Sequence, residues 1–167
     1  LRIEVSGHPE KEMGELEALL LAEIGEGGVL HGIDGLVSGA LRSDYQRSRL
    51  EVMCERLGVH SFSPLWHNDA ESHLDNLVSE GFEVVITSVS CEGLGPEWLG
   101  RQLDSDSLAE LRVVADRHRF NMDGEGGEFE TMVIAGPHLR TRIEWEGEVV
   151  WGGSRGRLVF SRMDLGV

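Results

Sequence analysis

Eight consecutive residues, Gly124-Glu125-Gly126-Gly127-Glu128-Phe129-Glu130-Thr131, gather three carboxylates and three glycines. Folding alone asks for neither. Gly126 and Gly127 let the chain turn sharply while Glu125 and Glu128 converge. Glu128 and Glu130 are two residues apart, so they are expected to share one face of the strand that follows. Carboxylates held that close repel and raise one another's pKa unless a cation lies among them. A polar, solvated turn before a strand is the alternative that needs no chemistry.

Two earlier segments have the same character. In Gly39-Ala40-Leu41-Arg42-Ser43-Asp44-Tyr45-Gln46-Arg47-Ser48-Arg49-Leu50-Glu51, a strand ends in small residues and a helix opens with polar ones. In a parallel sheet that point is the carboxyl end of a strand, where ligands bind. Free N–H groups at the helix start favour an anion such as phosphate. The plain alternative is a capped helix in which Arg47 and Glu51 form an i,i+4 pair. In Glu92-Gly93-Leu94-Gly95-Pro96-Glu97-Trp98-Leu99-Gly100-Arg101, glycines permit close backbone approach after an apolar strand. Trp98 suits either a pocket wall or the core.

The elements that must position these segments are read from periodicity. Leu1–Val5 alternates as a short strand does, and Pro9 suits a first helical turn. Glu12 to Ile24 has Met13, Leu16, Leu19, Leu20 and Ile24 at helical spacing. Gly35 to Leu41 reads as a buried strand. A helix capped at Ser43 or Asp44 runs from Tyr45 to Leu57, and Val59 to Phe62 is a strand. Asp69 caps a helix to Glu80, Phe82–Val89 is the most apolar strand, and Asp104 or Ser105 opens a helix to about Phe120. After Glu128 the pattern changes. Glu128–Ala135, Leu139–Trp145, Val149–Trp151 and Leu158–Ser161 alternate with period two between Gly and Pro, as antiparallel strands do. The expected fold is therefore α/β: a partial parallel sheet in the first part, then a β-rich α+β addition with antiparallel strands. The division is expected near Trp66 to Asp69, with residues 1–66 before it and 67–167 after it.

Composition bounds the function classes. The net charge is −15, and of the 15 basic residues only Lys11 is not arginine. Such a surface repels nucleic acid on average, so no direct nucleic-acid contact is expected. No run of eighteen apolar residues occurs, so no membrane span is expected. The first five residues do not read as a signal peptide. Cys54 and Cys91 lack partner spacing, which points to a reducing, cytoplasmic setting and away from a disulfide or zinc framework. The chain starts without Met inside what reads as a strand, as a fragment would.

In order, the Gly39–Glu51 block, Pro64-Leu65-Trp66, Glu92-Gly93-Leu94 with Trp98-Leu99-Gly100-Arg101 and Leu103-Asp104, and the Gly124–Thr131 block resemble the signatures of diphthine–ammonia ligases. These are enzymes of the PP-loop ATP pyrophosphatase superfamily. The resemblance runs from about Ile33 to Pro137, with a continuation to Val167, and it implies a nucleotide-binding-type α/β domain followed by a smaller C-terminal domain. It implies amidation of diphthine, a modified histidine of elongation factor 2, with ATP and ammonium, releasing AMP and pyrophosphate. It implies ATP with Mg²⁺, no assigned metal ligand, elongation factor 2 and ammonium as partners, and leaves a homodimer open. It implies that Gly39, Ser43, Asp44 and Gln46 serve the nucleotide. Trp66, Glu92, Gly93, Leu94, Trp98, Gly126, Gly127 and Thr131 would serve the substrate, and Glu125, Glu128 and Glu130 the catalysis. Diphthine carries a quaternary ammonium, which aromatic faces such as Trp66 and Trp98 bind well.

The family's Ser-Gly-Gly-Lys-Asp-Ser phosphate loop does not occur in these residues; Gly25–Gly28 contains neither Lys nor Ser. That loop supplies N–H groups and a cation to phosphates. The 167-residue chain alone is thus expected to release no pyrophosphate when given ATP, ammonium and modified elongation factor. A phosphate-release assay showing turnover would reverse this. A non-catalytic or truncated ligand-binding homologue remains open, as does another PP-loop amide-forming or tRNA-modifying enzyme; the coding sequence upstream of Leu1 discriminates. If the three blocks serve one reaction, they are expected to meet at one concave, negative pocket.

Overall fold

Apolar residues at helical spacing make α1, Glu12–Ile24, and α2, Asp44–Leu57, whose inner faces bury each other. Leu20, Met53 and Leu57 form the centre of that core, with Met13, Leu16, Ile24, Leu36 and Val59 packed around it. The structure, a computed structural model, describes residues 1–8 and 11–166. Pro9, read above as a first-turn residue, lies outside them. The chain divides into two compact units, Leu1–His67 and Asn68–Val167.

In the first unit, β1 (Gly35–Val37) and β2 (His60–Phe62) pair in parallel, with Leu36 opposite Ser61. Helix α2 is the crossover that a parallel pair requires. The strand expected over residues 35–41 is shorter than its apolar run. Past Val37 only Ser38 continues the ladder, donating its N–H to Phe62, while Ala40 and Leu41 are buried in the loop. Leu1–Val5 forms no strand. Alternation provides a two-faced segment but no ladder partner, and unpaired backbone does not make a sheet. Instead Ile3 packs on the helical core, and Ser6 donates its N–H and its hydroxyl to the Glu15 carboxylate.

The second unit holds α3 (Ala70–Ser79), β3 (Glu83–Val89), a 3-10 turn at Pro96–Trp98, α4 (Ser105–His118), β4 (Phe129–Ala135), β5 (Ile143–Gly152) and β6 (Arg155–Leu165). The sheet order is β4-β3-β6-β5, with every pairing antiparallel. Leu74 of α3 and Leu108, Leu111 and Ala115 of α4 join Ile86, Val89 and Phe129 of the sheet in one core. The apolar run of β3 does not extend the parallel pair of the first unit. It lies in a separate sheet, between two antiparallel neighbours. A continuous apolar run reports burial, not the direction of the strands beside it. Likewise the two strands expected at Leu139–Trp145 and Val149–Trp151 are one strand, β5, with a register shift between Glu146 and Gly147. Glycine there marks a bulge rather than an end.

Helix α4 starts on a reciprocal cap. Asp104 accepts from the Ser107 N–H at 2.8 Å, and the Asp104 N–H donates to the Ser107 hydroxyl at 2.7 Å. The Ser107 N–H holds the Asp104 carboxyl below the ordinary carboxylate range. A depressed carboxyl stabilises the fold above its unfolded pKa and ceases to as pH falls through its folded one. Asp104→Ala is therefore expected to cost about 1 kcal/mol at neutral pH. Urea unfolding should show the difference shrinking as the solution is acidified below the carboxylate range.

Candidate functional site

The antiparallel pairing of β3 with β4 sets Val89 opposite Phe129, so the residues just beyond each strand end meet. The Ser90 N–H donates to the Glu128 carbonyl at 2.8 Å, and the Ser90 hydroxyl donates to the Gly127 carbonyl. This clasp ties Ser90, two residues before Glu92, to the Gly124–Thr131 block. Glu92, Gly93 and Leu94 line a depression of about 480 Å³ with Ser90, Cys91 and Trp151.

Glu128 precedes β4 instead of lying on it, so it does not share a strand face with Glu130 as expected. Its carboxylate turns back over Gly126, where a Cβ would sit 2.5 Å from Oε1. Only a residue without a side chain permits that approach. Oε1 accepts from the Asn121 N–H at 3.3 Å. Oε2 is buried and has no hydrogen-bond partner among the described residues. Glu130, in contrast, is exposed on β4, opposite Ser88. Glu125 is exposed on the turn, its N–H donating to Asp123 Oδ1 at 3.2 Å, and Thr131 lies on β4 opposite Ile86. Burial pushes the Cys91 thiol up, and the Glu128 charge beside it pushes it further.

Trp98 sits in the core rather than in a pocket wall: it is 1% exposed, with the Arg101 guanidinium 4.4 Å over its ring. A large ring flanked by the apolar residues of β3 and α4 stabilises most when fully buried.

In the first unit, Gly39 and Gln46 line a depression of about 280 Å³ with Met13, Tyr45, Arg49 and Leu50. Ser43 caps α2, accepting from the Gln46 N–H at 3.3 Å, and Asp44 is exposed in the first turn. The Arg47–Glu51 pair forms at 2.6 Å. Trp66 is half-buried, with the Arg47 guanidinium 4.7 Å over its ring and His67 stacked at 4.7 Å. The face expected to take a cationic ligand thus carries a cation from this chain.

Among the described residues, no three His, Cys, Asp or Glu side chains come together as a metal ion requires. No helix among them is long and apolar enough to cross a membrane. Sequence reasoning missed Ser90 and Asn121. A serine closing an apolar strand carries no signal until its partner strand is known.

A family model described as the diphthamide synthase C-terminal domain matches residues 69–165, and one described as the N-terminal domain matches residues 1–61. The chain is 32% identical to a diphthine–ammonia ligase of Schizosaccharomyces pombe over 131 residues, 78% of this chain and 22% of that protein. It is 34% identical to one of Danio rerio over 112 residues, covering 66% of this chain and 44% of the relative. It is also 34% identical to one of Homo sapiens over 114 residues, covering 66% and 42%. The chain therefore spans less than half the length of these relatives. With a match in each of its two units, in the family's own order, the chain belongs to the diphthamide synthase family.

Proposed function

We propose that this chain is part of an ATP-dependent ligase that amidates diphthine on elongation factor 2 with ammonium. Support comes from relatives named diphthine–ammonia ligase. The observation that carries the reading is the buried, unpartnered Oε2 of Glu128 in the block clasped to Ser90. A buried carboxylate oxygen without a donor is costly, and ammonium is a small donor that satisfies it.

The reaction balances as two displacements. The diphthine carboxylate oxygen attacks the α-phosphorus of ATP, and pyrophosphate leaves. Ammonium gives a proton to a carboxylate base, and the free amine adds to the acyl carbon. The added nitrogen gives a second proton to solvent, and AMP leaves with the electrons of the acyl C–O bond. Glu128 is the candidate ammonium ligand and base, with Glu125 and Glu130 adding negative field. Gly126 and Gly127 shape its turn, and Glu92, Gly93 and Leu94 lie on the adjoining depression. Thr131 and Trp98 hold the surrounding strand and core. Gly39, Ser43, Asp44 and Gln46 are the proposed nucleotide contacts, with Trp66 beside α2. Mg²⁺ would accompany the nucleotide, neutralising phosphate charge.

The test uses the full-length gene product with diphthine-bearing elongation factor, ATP and ammonium. Amide and AMP should appear in equal amounts. Release of ADP, or ATP use without amide, rejects the reading.

A further inference from the structure

On the exposed side of the second unit's sheet, Glu130, Ser88, Arg157 and Val150 lie directly opposite one another across the four strands. Directly opposed residues share a face. Arg155 is two residues before Arg157 on β6, so it projects from the same side, about 7 Å along the strand. Gly156 between them faces the other way, where a Cβ would collide with the Trp151 ring and sit 3.0 Å from Leu99. Core packing of Trp151 on that glycine thus fixes the register that turns both arginines outward.

The two arginines line a depression of about 470 Å³ with Ser88, Ser90, Val150 and Gly152. Their electrostatic state is unusual for this chain. Asp and Glu number 30 against 15 Lys and Arg. In the same unit, Arg101 pairs with Glu110, Arg112 with Glu71 and Asp75, Arg142 with Glu83, and Arg162 with Glu146. Neither Arg155 nor Arg157 makes an ion pair or side-chain hydrogen bond among the described residues. The carboxylate of their row, Glu130, is two strands from Arg157, about 10 Å away at ordinary strand spacing. Glu148 lies opposite Val159, the next residue of that face. Two guanidinium groups side by side repel, and a planar fork on each is shaped to hold one oxyanion from two sides.

We infer that Arg155 and Arg157 form an oxyanion-binding subsite on the exposed face of this sheet, taking a carboxylate or phosphate group. Oxyanion binding here is independent of whether diphthine is amidated, so its test does not use turnover. The 167-residue chain is titrated at low salt with sodium pyrophosphate in one arm and glycine betaine in the other. Binding is read by calorimetry and by the arginine Nε–H resonances. Saturable binding of at least one ligand is expected, with shifts at two arginines; the ligand that binds identifies phosphate or carboxylate as the source. Arg155→Gln and Arg157→Gln should each weaken binding about tenfold. Arg157→Lys, which keeps the charge but loses the fork, should fall between. Arg117→Gln with Arg140→Gln removes the same total charge elsewhere and should change binding less than about twofold. Absence of saturable binding in both arms overturns the inference. So does equal weakening by the Arg117/Arg140 pair, or wild-type binding by an Arg155/Arg157 double variant.

Discussion

Glu128→Gln should lower the turnover number for amide formation by the full-length protein on the order of 10²–10³-fold. Glutamine keeps the length and shape of the side chain, and its Oε1 can still accept from the Asn121 N–H that positions it. What it loses is the negative charge and the ability to take a proton from ammonium. Its second terminal atom becomes a donor where Oε2 now lies buried without a partner. An ammonium at that point would meet N–H groups rather than an acceptor. Cys91 supplies a readout that is separate from turnover. Burial is the larger reason its thiol is raised, and the charge on Glu128 adds to it. Removing that charge favours the thiolate, so the pH profile of Cys91 alkylation should move to lower pH in the variant. A shifted Cys91 profile with unchanged turnover would show that the charge was removed and that Glu128 is not the base. Reduced turnover with wild-type thermal stability and a shifted profile is the expected outcome.

Trp98→Ala should destabilise the protein by about 3–5 kcal/mol, a large share of the stability of a small domain. The ring is 1% exposed, among the least accessible large side chains of the core. Its removal leaves a cavity in the cluster that also holds Val84, Ile86, Leu108 and Leu111. The cost also spreads along the backbone. Gly100 and Leu103 donate to the carbonyls of Ile86 and Val84, and Ile86 donates to Arg101. Trp98 anchors the start of that segment, so the variant loses support for bonds on the edge of β3 as well as the ring's own burial. Arg101 would lose its stacking partner while keeping its 2.6 Å pair with Glu110. Urea denaturation should show a much lower midpoint, and Trp98→Phe should recover part of it. A loss below about 1 kcal/mol would place Trp98 outside the stabilising core, and its proposed role would return to the binding surface.

What the sequence determined by itself is the local structure. The spacing of Met13, Leu16, Leu20 and Ile24 delimits α1, Glu12–Ile24, without reference to anything distant. Ser43, Asp69 and Asp104 cap their helices because the bond each accepts comes from a residue three positions on. Such bonds are written in adjacent letters, and propensity and capping act over one turn. The change to period two after Glu128 likewise announced an antiparallel region. Tertiary structure decided which strands pair, because pairing joins residues far apart in the chain. Leu1–Val5 has the alternation of a strand and no partner. The apolar run of β3 found antiparallel neighbours in β4 and β6. In the candidate site, the residue types were legible but their environments were not. Glu128 and Glu130 are two apart, yet one folds back under the turn and the other stays in solvent. That difference arises from the Asn121 N–H and the missing Cβ of Gly126, which no spacing reports. For the arginines the reason is the same. Arg112 is neutralised by two carboxylates of α3, while Arg155 and Arg157 have none among the described residues, and only the folded chain determines which charges come within reach.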